Sequence, residues 1–188
     1  GEMRNRITSM LGEDPEGMWV STFHALGARM LRRHAQRLGW NNTFSIFDAE
    51  QSLKLIKKAT ENVGLDTRRW NPKAIRAHVS EAKNQLVSPQ QFAKNSENTL
   101  DIFNRYVAKV YPVYQRFLKN QNAFDFDDLL VKSVDLLEAN PDLLDRYQDH
   151  FSFVLVDEYQ DTNSVQFRFV EMLASKHKNL MVVGDDDQ

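Results

Sequence analysis

The 188 residues contain no cysteine, which excludes disulfides and thiolate-bound metals at the outset. Glycine is scarce, seven in all, and none falls in a G-x-x-x-x-G-K-[ST] pattern. The chain therefore holds no loop of the kind whose backbone cradles nucleotide phosphates and whose lysine neutralises them. No apolar run approaches the roughly 18 residues of a membrane helix. Gly1–Ile7 is charged and leads into polar residues, unlike a secretory signal. Internal repeats and low-complexity tracts are absent too. What remains is the composition of a globular chain, 41% hydrophobic and 27% charged, long enough to bury a core without staples. A reducing, cytoplasmic setting and no membrane partner are the expectations these absences give.

Both ends read as cut. Gly1–Ile7 looks like helix already under way, and Asp185–Gln188 follows an apolar run without a turn, so the chain is expected to be a piece of something longer.

Charge is divided unevenly. Residues 1–122 carry 19 Lys+Arg against 11 Asp+Glu, and residues 123–188 carry 5 against 15. Basic surface attracts polyanions, and clustered acids suit a hard cation, but either is also an ordinary solvated face. Lys54, Lys57, Lys58, Arg68, Arg69, Lys73 and Arg76 make the middle of the chain basic, and both readings stay open for them.

Apolar spacing divides the chain further. Met18–Thr22 reads as a short strand, followed by a helix with Leu26, Met30, Leu31 and Leu38 on one stripe and Gly39 as its stop. Asp48, Asn71-Pro72 and Ser88-Pro89 each open a helix, and a long one follows with Leu100, Phe103, Val107, Val110, Tyr114 and Leu118 in register. The texture changes at Phe124. Asp125–Glu138 reads as a helix whose acids suit its N-terminal dipole. Phe151–Val156 and Leu180–Val183 are unbroken apolar runs flanking a helix over 162–176, the pattern of a βαβ unit with buried parallel strands. The fold class expected is α/β, a partial parallel sheet interrupted by an all-helical insertion.

The chemistry is concentrated at Asp157-Glu158, directly after the first of those runs. Ligands of open α/β sheets bind at the carboxyl ends of strands. There one acid can hold Mg²⁺ beside a nucleotide's phosphates and the other can orient or deprotonate an attacking water. A strand that simply ends in polar residues would look the same.

The residues that follow separate these readings. Asp157-Glu-Tyr-Gln-Asp-Thr-Asn163 closely resembles motif II of superfamily 1 DNA helicases of the UvrD/Rep/PcrA family, and Val182–Gln188 resembles the start of their motif III. Ser21-Thr-Phe-His24 is similar to motif Ib, Gly1–Ile7 to the tail of motif Ia, and Phe124–Leu130 to the segment returning from the inserted helical subdomain. These five segments, in order, span the whole chain. The resemblance implies a RecA-like domain of the P-loop NTPase type in two parts, residues 1–40 and 123–188, with residues 41–122 as the helical insertion. It implies ATP as substrate with Mg²⁺ as cofactor, and single-stranded and duplex DNA as partners, with 3′-to-5′ translocation driving strand separation. By position, Asp157 is the Mg²⁺ carboxylate, Glu158 the catalytic one, and Gln160 a support in the same loop. Asp185 lies near the nucleotide, and Gln188 senses the γ-phosphate. Thr22, Phe23 and His24 line the single-strand track. A helicase–nuclease subunit of the RecB/AddA type shares these motifs, but its long extra blocks between Thr22 and Asp157 are missing. A non-catalytic nucleic-acid-binding domain is the alternative of another class, because the phosphate loop, the adenine-binding segment and the second motor domain are absent from these residues. For the same reason the isolated chain is expected not to hydrolyse ATP.

Overall fold

Most helix starts in this chain are set by one short polar side chain that accepts an otherwise unpaired backbone amide. The computed structural model describes residues 2–12, 17–97 and 99–185. After α1 (Glu2–Leu11), Thr22 caps α2 (Phe23–His34) by accepting the Ala25 amide at 3.2 Å. That helix tightens into a 3₁₀ turn, Ala35–Leu38, and stops at Gly39, whose φ of 76° is left-handed backbone suited to glycine. Asp48 and Gln51 form a reciprocal capping box at the head of α3 (Ala49–Asn62). Asn71 and Ser88 cap α4 (Pro72–Asn84) and α5 (Pro89–Ser96), each with proline in the first turn. Asp101 caps α6 (Ile102–Asn120), so Leu100 stands outside the helix its spacing suggested and is 94% exposed. Then come α7 (Asp128–Ala139), α8 (Pro141–His150) and α9 (Ser164–Ala174), the last with a second capping box, between Asn163 and Gln166.

Among the described residues, four three-residue strands form two parallel pairs. β1 (Ser45–Phe47) lies beside β2 (Ala123–Asp125), with Ser45 opposite Ala123. β3 (Val154–Val156) lies beside β4 (Leu180–Val182), with Val154 opposite Leu180, the adjacent parallel arrangement expected of the βαβ unit. The chain is thus mixed α/β, mostly helical with short parallel strands.

Three expectations change. Met18–Thr22 is not a strand: it pairs with neither sheet, and its apolar character serves packing. Trp19 meets Phe151 edge-on with ring centroids 5.1 Å apart, and the Arg29 guanidinium lies 3.6 Å over its ring. The middle of the chain is not all helical either, because β1 lies inside it. Asp125 belongs to β2 rather than to a helix start.

Among the described residues, two hydrophobic clusters form the core. Met30, Leu31, Phe44, Phe124, Leu130, Leu137 and Phe169 sit in one; Ile56, Ile75, Val107, Val110, Tyr114 and Leu118 sit in the other. The division falls within β2, where Ala123 joins the second cluster and its neighbour Phe124 the first, as successive strand residues face opposite ways. Full burial of a side chain such as Phe124 contributes about 1.5–3 kcal/mol. No helix among the described residues is long and apolar enough to cross a membrane.

Candidate functional site

The carboxyl edge of the β3–β4 pair carries the acids. Beyond Val156 the ladder continues for two bonds: the Val183 amide donates to the Val156 carbonyl at 2.8 Å, and the Tyr159 amide donates to the Val183 carbonyl at 3.0 Å. Between them Asp157 and Glu158 are pushed out of the ladder and both are exposed. Glu158 adopts φ 51° and ψ 43°, a left-handed conformation that costs a non-glycine residue roughly 1–3 kcal/mol and is held by surrounding structure. This turn lets the Glu158 amide donate to Asp157 Oδ1 at 3.0 Å and starts the short 3₁₀ turn Tyr159–Asp161.

Gln160 ties the two strand ends together. Its Oε1 accepts the Asp185 amide at 3.2 Å. The same oxygen would stand 2.8 Å from a Cβ built on Gly184, so a side chain there would make the Gln160 amide shift. Asp157, Glu158, Gln160 and Asp185 therefore share one edge. The remaining expected member, Gln188, lies outside the described residues.

Among the described residues no group of three or more acids or histidines could form a closed metal cage. The strand-end carboxylate at this edge, Asp157, has one oxygen engaged by a backbone amide and stands beside the carboxylates of Glu158 and Asp185. That fits Mg²⁺, which keeps most of its waters and takes further ligands from phosphate, and does not fit a metal needing an all-protein cage.

The other expected group is organised differently from its sequence reading. Thr22 is a helix cap, and Phe23 is a half-buried first residue of α2 packed against the larger core. His24 is stacked on Phe126, ring centroids 3.8 Å apart and planes 15° from parallel. Burial pushes the His24 pKa below its ordinary value, so the ring is neutral near pH 7. Phe126 is 56% exposed, although Phe124, two residues earlier, is fully buried. Sequence reasoning passed over Phe126. The available signal was an aromatic ring set between acids in Asp125-Phe126-Asp127, where a core residue would be out of place.

Directly beneath Phe126 lies a buried charge cluster. Lys83 Nζ is 2.6 Å from Asp125 Oδ2 and 2.9 Å from Asp128 Oδ1. The Tyr114 hydroxyl donates to Asp125 Oδ2 at 2.8 Å, and the Asp128 amide to Asp125 Oδ1 at 2.8 Å. Burial pushes the Asp125 carboxyl up, but the Lys83 charge and these hydrogen bonds outweigh it, and the net direction is down. Both acids are therefore buried: Asp128 sits in the first turn of α7, at the dipole end its position suggested, whereas Asp125 lies in β2.

Comparison with known proteins gives a consistent picture. The family model for the UvrD/REP helicase N-terminal domain matches residues 1–188. The ATP-dependent DNA helicase PcrA of Leuconostoc citreum is 44% identical over 188 residues, covering 100% of this chain and 25% of that protein. The PcrA proteins of Staphylococcus aureus and Staphylococcus epidermidis are 41% and 40% identical over 187 residues, with the same coverage. The chain thus spans about a quarter of the length of these curated relatives.

Proposed function

Since the chain belongs to the UvrD/REP helicase N-terminal domain family, we propose that it is the part of an ATP-dependent, 3′-to-5′ DNA helicase that activates water for ATP hydrolysis and holds single-stranded DNA. The observation that carries this reading is the shared edge: Asp157 and Glu158 beyond β3, joined through Gln160 to Asp185 beyond β4. In this reading the first hydrophobic cluster belongs mainly to a RecA-like part, residues 1–40 with 123–188, and the second to a helical insertion, residues 41–122, with Phe44 and Ala123 crossing over at the β1–β2 seam.

Asp157 would hold Mg²⁺, which when bound supplies charge neutralisation at the phosphates. Glu158 accepts a proton from the attacking water, with its backbone turned so that the carboxylate stands clear of the ladder. Gln160 fixes the spacing between the two strand ends, so movement at Asp185 and beyond is felt at Glu158. Gln188 is assigned γ-phosphate sensing from the family resemblance alone. On the DNA side Thr22 fixes the start of α2, while Phe23, His24 and Phe126 supply ring surface for bases. Stacking suits a motor that must ignore sequence, since every base has a π-face. The relatives named above, each matching the whole chain, are PcrA proteins, which supports the compact helicase over a helicase–nuclease subunit. A cytoplasmic setting, work in repair or replication, and contact with duplex DNA belong to the same proposal.

The test uses the full-length parent protein. DNA-stimulated ATP hydrolysis and unwinding of a partial duplex from a 3′ single-stranded tail are expected. Unwinding only from a 5′ tail would overturn the polarity, and ATP turnover indifferent to DNA would overturn the motor. The 188 residues alone should turn over no ATP, and measurable hydrolysis by them would show that the missing loop is dispensable.

A further inference from the structure

Lys83 is 1% exposed, at the C-terminal end of α4, within the smaller core's helices. A buried lysine is costly to desolvate, and apolar residues usually pack a core at least as well. What a buried ion pair supplies instead is fixed geometry. Here Nζ reaches both carboxylates that bracket one short turn, Asp125 at the end of β2 and Asp128 at the start of α7. The turn is closed on itself by the Asp128 amide on Asp125 and fastened from α6 by Tyr114, with Gln115 Nε2 3.3 Å from Asp128 Oδ1. Two of the four turn residues, Asp125 and Asp128, are therefore held by Lys83 of α4, while Phe126 between them is 56% exposed and stacks on His24.

We propose that Lys83 is a positioning residue for single-stranded DNA: from inside the helical cluster it fixes the Asp125–Asp128 turn, and so sets the Phe126–His24 ring pair against which a base stacks. The proposal rests on the reading of that ring pair as part of the DNA track. Lys83 itself touches no DNA. Its removal should weaken binding without changing the salt dependence, whereas loss of a phosphate-binding lysine flattens the slope by about 0.7 for a single strand.

The experiment is a double-mutant cycle on the full-length parent, reading affinity for an oligothymidine across a salt series. Lys83→Met combined with Asp128→Asn removes the lysine while leaving one fewer buried carboxylate unpaired. It should bind on the order of tenfold more weakly, within the range of a lost base–aromatic stack, with the parent's salt slope. Adding Phe126→Ala should bring no further loss. Additive losses, or a Lys83 variant that binds like the parent while Phe126→Ala does not, would overturn the proposal and leave the DNA track standing. An inert Phe126→Ala would remove the track and the proposal together. Should the Lys83 variant fail to fold, Tyr114→Phe takes its place in the same cycle. A smaller loss that is non-additive with Phe126→Ala is then expected, and no loss or an additive one overturns the proposal.

Discussion

Gly27 of α2 lies so close to Leu129 of α7 that a Cβ on the glycine would collide with the Leu129 carbonyl oxygen, with Ser133 Oγ 3.0 Å away. The rings proposed to meet DNA lie at the heads of these helices: His24 is in the first turn of α2, and Phe126 is two residues before α7. The glycine is therefore what allows the ring pair to form at stacking distance.

Gly27→Ala should separate the helices. Overpacking costs roughly 1–3 kcal/mol, against a gain of about 0.5–1 kcal/mol from alanine's better fit to a helix. The net expectation is destabilisation, read as faster amide hydrogen exchange along α2 and α7 in the full-length protein. Unchanged or slower exchange would show that the contact relaxes freely.

Glu158→Gln in the parent should lower ATP hydrolysis by on the order of 10²–10⁴-fold while nucleotide binding is retained. A filter-binding assay with labelled ATP beside a steady-state hydrolysis assay separates the two. Hydrolysis near the parent's rate would take the role away from Glu158.

Phe23→Ala, His24→Ala and Phe126→Ala should each weaken single-strand binding, with Phe126→Ala losing roughly 1–3 kcal/mol if it stacks a base. Because the rings carry no charge near pH 7, the slope of affinity against salt should match the parent's. Removing Lys57 or Lys58 from the basic middle should instead flatten that slope if those residues meet phosphates. A flattened slope in the His24 variant would mean that His24 acts as a cation, contrary to its buried stack.

The acid limb of stability offers a separate test of that stack. Burial holds the His24 pKa below 6.5 in the folded protein, so the unfolded state binds the proton more readily. The stabilisation from burying the neutral ring is fully present above the unfolded value near 6.5. It is lost as pH falls through the lower folded value. His24→Phe keeps a ring against Phe126 and removes the titration, so its thermal midpoint should fall less than the parent's between pH 7.5 and pH 5. Parallel curves for the two proteins would sink this account.

Local signals account for what was legible in the sequence. Caps at Asp48, Asn71 and Ser88 and the paired apolar runs ending at Val156 and Val183 each announce themselves within a few residues, and the structure has the caps and the paired strands, the second ending at Val182. Non-local arrangements were hidden. β1 and β2 are three residues each, too short for a periodic pattern, and they exist only because segments far apart in sequence meet. Lys83 looks like any surface lysine at a helix end until the acids at 125 and 128 are brought to it. Trp19 misled in the opposite sense. Its apolar neighbours suggested a strand, but the ring is anchored to α8 and Phe151 rather than presented on a sheet.

The β1–β2 pair also imposes an order on events during synthesis. Parallel strands cannot be joined by a tight turn, and here the connection is the whole of α3 to α6. At about 5–20 residues per second, a nascent chain holds Ser45–Phe47 without its partner for several seconds while those helices emerge. Phe44, which ends up buried against Phe124, waits with it. The helices between can assemble among themselves in that interval, since their shared cluster draws mainly on residues already made. The larger core cannot, because Phe124 and everything after it arrive last. The larger core, which also draws on residues up to Leu173, is therefore the last part of this region to close, and the interval before it closes is when the chain is most open to a chaperone or a protease.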